Sequence, residues 1–295
     1  MAASTPLLSQ AFIDRLARLL WSLARPRAGA AERGRAARRP GGIHRFEGHR
    51  PYAPGDDPRQ IDWSAFARTD HLVVKVFGRE EEETVDLLLD RTASMEAGAS
   101  PTKAEAACRL AAALGFLALH SGHRLRLAPV GEGAVRLRGP YVGVESTGAF
   151  LRELEGLGAG SGRDAAGGIR GYLEKVRRPG AVALLSDGLE GPGLAEAVAH
   201  LGDAAAESTW FHLLGPEDLR PELVGRMALS DAEGGETLEL EIGPQERRFY
   251  LHELAAFRRA SRELSARHAV DYRPVASVDS LETTVTDWHR GRARR

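Results

Sequence analysis

Two stretches of this chain run apolar and then stop at a carboxylate. Residues 85–89, Val-Asp-Leu-Leu-Leu, lead into Asp90-Arg91-Thr92-Ala93-Ser94, and residues 181–185, Ala-Val-Ala-Leu-Leu, lead into Ser186-Asp187-Gly188. Short apolar runs without helical or alternating period read as strands buried on both faces, the pattern of a parallel sheet. Further strands follow at 71–77, which alternates, and at 124–130, 209–214 and 270–275. Helical periods fill 103–120, 146–157, 164–176, 193–205 and 245–268, with a short helix at 217–225 and a terminal helix to about 290. Ser100-Pro101 offers the 103–120 helix an N-cap and first position, and Gly122 stops it. Gly131, Glu132 and Gly133 join 124–130 to a strand at 134–138 as a hairpin, and 231–235 joins 227–230 to 237–242 as another.

Strands alternating with helices predict an α/β fold: a doubly wound, mainly parallel sheet with helices on both faces, preceded by the alternating strand at 71–77 and carrying a C-terminal hairpin. Four segments follow: an amphipathic helix (1–24), a linker (25–42), the β segment (43–83) and the α/β domain (84–290). The first helix sets Phe12, Ile13, Leu16, Leu19, Leu20 and Leu23 on one stripe, with Asp14, Arg15 and Arg18 opposite. Those charges break any secretory core, so the stripe is expected to dock on the protein or a partner, or else to lie on a membrane surface. No apolar run is long enough for a membrane-spanning helix.

Charge is uneven. Ten arginines and three acids fall in residues 1–50, leaving the remainder acidic. The arginines of 25–42 have no interleaved aromatic residues for base stacking, so no nucleic-acid partner is expected. A single cysteine, Cys108, lies within an apolar helix and excludes a disulfide framework; a reducing compartment fits, and the protein as a whole is expected to be cytoplasmic. Phosphate-loop, His-Glu-x-x-His and Gly-x-Ser-x-Gly motifs are absent from the sequence, so NTP hydrolysis, zinc proteolysis and esterase chemistry lack their parts.

Asp90, Thr92 and Ser94 share one strand end and Asp187 ends another, at the edge where open α/β sheets bind ligands. Such hard oxygens suit Mg²⁺. The same residues also serve as a helix cap and a turn former, and spacing alone leaves both readings open.

The block Asp90-Arg91-Thr92-Ala93-Ser94-Met95 resembles the metal-ion-dependent adhesion motif Asp-x-Ser-x-Ser of von Willebrand factor A domains, with Thr92 for the first Ser. Upstream, Arg50-Pro51-Tyr52-Ala53-Pro54-Gly55-Asp56-Asp57-Pro58-Arg59-Gln60-Ile61-Asp62-Trp63-Ser64-Ala65-Phe66-Ala67-Arg68-Thr69 closely resembles the hallmark of a bacterial von Willebrand-like family, domain of unknown function 58. The resemblance runs from about residue 40 to 290. It implies a Rossmann-like domain with an added N-terminal β segment, a binding or adaptor role without established catalysis, and a MoxR-type AAA+ ATPase as partner in complex assembly or metal-centre maturation.

Metal-binding members of that superfamily take a further ligand from a Thr of the middle loop, where this chain has Ser161-Gly162-Arg163-Asp164. Arg163 falls on the Thr position unless the loop aligns so that Ser161 supplies the ligand. The site is therefore either a Mg²⁺ site of Asp90, Thr92, Ser94 and Asp187 or a metal-free imitation in which Arg163 pairs with Asp90 or Asp187. Arg91 and Arg163 would then attract a partner carboxylate. In the hallmark, Asp56, Asp57 and Asp62 are placed to pair with Arg59 or Arg68 while Trp63 packs, forming a structural clasp or a partner contact. The enzymatic alternative is a Mg²⁺-dependent hydrolase or nuclease using Asp90 and Asp187, for which no general base is evident.

Overall fold

The computed structural model describes residues 7, 9–24, 44–53, 61–63, 65–66, 71–79, 84–189, 192–221, 225–230 and 237–292. They fall into two compact units, residues 26–83 and residues 1–25 together with 84–295. The linker at 25–42, the acidic run at 80–83, and Asp56, Asp57, Arg59 and Arg68 of the hallmark lie outside the described residues.

The smaller unit pairs β1 (His44–Pro51) with β2 (Val73–Arg79) in antiparallel register, with an irregularity between Phe46 and Gly48. Hallmark residues fasten to this ribbon. Ile61 bridges Val74, the Asp62 N–H donates to Val73 O at 2.9 Å, and Asp62 Oδ1 accepts the Ala65 N–H at 3.1 Å. Asp62 is buried, whereas Trp63 is 60% exposed and meets Phe66 edge-on. Asp62 thus holds a turn, and Trp63, expected to pack inward, faces outward.

The larger unit opens with helix α1 (Gln10–Ala24) and is built on a sheet ordered β10-β7-β6-β3-β4-β5. Its strands are β3 (Thr84–Asp90), β4 (Arg124–Val130), β5 (Arg138–Tyr141), β6 (Ala181–Ser186), β7 (Glu207–Leu214) and β10 (Val270–Ala276). All adjacent pairs are parallel except β4 with β5. Successive strand residues point to opposite faces. Leu87, Leu89, Leu125 and Leu127 therefore pack in one layer with α1, α2 (Lys103–His120), α3 (Thr147–Glu155) and α8 (Leu281–Arg292). Leu88, Val182 and Leu184 pack in the other with α4 (Ala165–Lys175) and α5 (Pro192–Ala204). The sequence expectation of a parallel sheet covered on both faces is met. A short α6 (Pro216–Leu219), the antiparallel hairpin β8 (Gly225–Ser230) and β9 (Thr237–Ile242), and the long α7 (Pro244–Arg267) complete the unit.

Three local expectations shift. The cap of α2 is Thr102, not Ser100: its hydroxyl accepts the Glu105 N–H while Glu105 accepts the Thr102 N–H, a capping box. The strand after β4 starts at Arg138 because Gly131 and Gly133, at φ 105° and 72°, carry the chain into a wider loop. Helix α6 ends at Leu219, well short of Gly225. Among the described residues, no helix is long and apolar enough to cross a membrane.

Candidate functional site

The chain runs from β3 out to β4 and β5 and then returns to β6 on the other side of β3. This reversal makes the carboxyl ends of β3 and β6 a topological switch point, where a cleft opens in such sheets. Asp90 ends β3 and Asp187 directly follows β6, so the two predicted aspartates do stand at neighbouring strand ends.

Asp90 is enclosed by donors. Oδ1 accepts the Thr92 N–H at 2.9 Å and the Thr92 hydroxyl at 2.7 Å, and Oδ2 accepts the Ser186 hydroxyl at 2.5 Å. The Thr92 and Ser94 hydroxyls lie 3.0 Å apart. Burial, followed by the nearby charge of Asp187, pushes the Asp90 carboxyl up to about 6, and these hydrogen bonds only partly oppose the rise.

Asp187 faces a cation that sequence reasoning did not assign. Lys103, the first residue of α2, sends its Nζ to 2.7 Å from Asp187 Oδ2 and 3.8 Å from Asp218 Oδ2 on α6. Lys103 and Asp187 are both 3% exposed. A cation at a helix N-terminus opposes the helix dipole. That mismatch, at one of only three lysines among forty Lys and Arg residues, is the signal in the sequence that marked it. His212 on β7, level with Ser186, is fully buried and also went unassigned; burial pushes it down to about 4, so it stays neutral at pH 7.

The middle loop is zipped onto the strand ends. Gly162 N–H donates to Arg91 O and Gly162 O accepts the Ala93 N–H, both at 2.9 Å, while the Arg163 N–H reaches Gly131 O at 3.0 Å. A Cβ on Gly160 would lie 2.5 Å from Arg91 O, and one on Gly162 would lie 2.2 Å from Gly131 O. These glycines permit close backbone approach; the loop is not a flexible spacer.

Two expected roles change. Arg91, read as a surface charge for a partner, is 2% exposed, and its guanidinium donates to Leu157 O at 3.1 Å and Gly158 O at 2.5 Å. Arg163, read as the counterion of Asp90 or Asp187, sits on an exposed turn; Lys103 makes that pairing instead. Ser161 is exposed and gives its N–H to Glu132 Oε1 at 3.1 Å.

The donor set does not fit a divalent ion as it stands. Asp90 already receives three hydrogen bonds, and Asp187 receives the Lys103 ammonium and the Leu189 N–H. A divalent ion about 4 Å from that ammonium would meet repulsion of roughly 8 kcal/mol at an effective dielectric of about 20. Among the described residues, no three His, Cys, Asp or Glu side chains gather as metal ligands.

The sequence profile of a family described as "Protein of unknown function DUF58" matches residues 48–261. The proteins Rv1480 of Mycobacterium tuberculosis H37Rv and Mb1516 of Mycobacterium bovis, both named as uncharacterized, are 33% identical over 219 residues, covering 71% of this chain and 67% of each relative. The crystal structure of the conserved hypothetical protein BatB from Bacteroides thetaiotaomicron is 15% identical, covering 72% of this chain and 100% of BatB at a TM-score of 0.42.

Proposed function

The chain belongs to the DUF58 family, and from that membership we propose that it is a non-enzymatic protein-binding adaptor. In this reading it works in the cytoplasm with a MoxR-type AAA+ ATPase, in protein-complex assembly or metal-centre maturation, and engages partners at the strand ends around Asp90 and Asp187.

One observation carries the reading: the titratable groups at the switch point are turned toward one another. Asp90 is 2% exposed, Lys103 and Asp187 3%, and His212 is fully buried. A general base must come within hydrogen-bond reach of a substrate proton. Asp90, Lys103 and Asp187 are spent on internal hydrogen bonds and an ion pair, His212 Nδ1 lies 2.5 Å from the Tyr272 hydroxyl, and burial keeps all four from a substrate. Exposed apolar side chains offer contacts for a protein partner. Leu189, two residues past Asp187, is 58% exposed, and Trp63 stands out from the hallmark segment of the smaller unit. Aromatic and aliphatic anchors of this kind dominate protein interfaces.

Affinity isolation of the full chain from its native cells, with and without ATP, tests the proposal. Recovery of an AAA+ ATPase that is lost with Trp63→Ala or Leu189→Ser supports the adaptor. Magnesium-dependent cleavage of nucleic acid or ester by the pure protein, lost with Asp90→Asn, would replace it with the enzyme.

A further inference from the structure

We infer that the Lys103 ammonium is the resident cation of the strand-end site, so that the site works without a divalent ion. The inference deepens the adaptor reading by fixing the chemistry of its docking edge.

Lys103 is the cation that the structure pairs with Asp187 at this edge. It is buried, 2.7 Å from Asp187 Oδ2, with Asp218 Oδ2 as a second anion at 3.8 Å. A lysine presents a compact point charge with three donors, the closest side-chain counterpart of a small ion, whereas an arginine fork would need a planar, wider space. In a chain that otherwise uses arginine almost throughout, a lysine stands here, at a helix N-terminus where the backbone dipole works against it.

The arrangement around it is internally balanced. Thr92 and Ser186 supply hydrogen bonds to Asp90 that a bound ion would otherwise satisfy, and Asp187 keeps the ammonium. The hydroxyls and carboxylates of the adhesion-type motif are retained, and they are satisfied from within the chain. Their role is to fix the geometry of the strand ends; the charge that an ion would bring is supplied by α2.

Mn²⁺ titration of the isolated full chain, followed by electron paramagnetic resonance, tests this independently of ATPase capture, because no partner is needed. The wild-type protein is expected to show no saturable site up to about 1 mM. Lys103→Ser is expected to gain one, and Lys103→Ser/Asp90→Asn to lose it again. Saturable binding by the wild type that disappears in Asp187→Asn overturns the inference, as does a folded Lys103→Ser that gains nothing. If Lys103→Ser does not fold, acetylation of the wild type followed by mass spectrometry decides. Lys103 is expected to react at least about tenfold slower than Lys175, unchanged by Mg²⁺, since a buried amine reacts only through local opening. A Mg²⁺-induced exposure of Lys103 would show that an ion displaces it, and overturns the inference.

Discussion

Lys103 and Asp187, 84 residues apart in the chain, form a buried ion pair of 2.7 Å between the start of α2 and the end of β6. The pair ties a helix on one face of the sheet to the switch point. Removing one partner of a buried pair leaves the other charged and unsatisfied, at a cost of about 3–5 kcal/mol. Asp187→Ala is expected to lose stability on that scale by urea denaturation. In Lys103→Met/Asp187→Leu, where neither charge remains, most of the loss is expected to return. Additive effects of the two single changes would refute the coupling.

Asp90 makes stability depend on pH in an unusual direction. Its folded-state value of about 6 lies above the ordinary value of 3.8, so between those limits the folded protein holds a proton that the unfolded chain has released. The contribution of this carboxyl is therefore fully present below about pH 4, declines as pH rises to about 6, and is flat above. At roughly 1.4 kcal/mol per pKa unit the decline amounts to about 3 kcal/mol. Asp90→Asn has no such titration. The difference in unfolding free energy between wild type and variant should shift by that amount between about pH 4 and pH 7, and parallel profiles would exclude it.

A second buried charge lies mid-strand. Asp86 is fully buried and is held by Arg126, in register on β4, through bonds of 2.5 and 2.7 Å, and by the Tyr172 hydroxyl at 2.7 Å. Burial and the neighbouring Asp86 keep the Tyr172 phenol protonated far above its usual range. Asp86→Ala is expected to cost about 3–5 kcal/mol, because Arg126 and Tyr172 lose their acceptor together. A chemical-denaturation midpoint unchanged from wild type would contradict this.

These pairs mark where sequence reading succeeds and stops. The strands that lead to Asp90 and Asp187 are legible because a short, mostly apolar run bounded by a carboxylate is a local pattern. Asp86 sits inside such a run, yet its satisfaction by Arg126 depends on the register of two strands 40 residues apart. Lys103 stands out in the sequence only by its type, a lysine at a helix start in an arginine-rich chain; its partner exists only once α2 packs against β6. Arg91 looked like an exposed charge, and the carbonyls of Leu157 and Gly158 that bury it exist only once the middle loop has closed.

Closure of that loop rests on Gly162. A methyl group there would come within 2.2 Å of Gly131 O, a backbone atom that can yield only if the loop lifts from β3 and β4. Overpacking of this kind costs about 1–3 kcal/mol. Gly162→Ala is expected to keep the core intact while amide exchange at Ala93, Gly162 and Arg163 accelerates. Gly171→Ala, in open space on α4, is the control and is expected to have no such effect. Equal protection in both variants would show that the loop is not held by this contact.

The amphipathic stripe of α1 is used internally. Leu16 is 1% exposed, and Phe12 and Leu19 are 4% exposed, all within the core layer shared with α2 and α8. Arg15 adds an ion pair to Glu282 on α8, and that bond draws the Glu282 carboxyl down to about 2. With the two side chains 41% and 38% exposed, solvent screening limits the pair to about 1 kcal/mol or less. Apolar burial therefore dominates the docking: Leu16→Ala is expected to cost about 3 kcal/mol, several times the effect of Arg15→Ala. A stripe held in the core is not free to enter a lipid surface. Flotation with anionic vesicles should leave the wild-type protein unbound, and the measurement pairs naturally with the two denaturation curves. Vesicle binding by the wild type, together with a negligible loss in Leu16→Ala, would mean that α1 leaves the core and that its stripe serves a membrane instead.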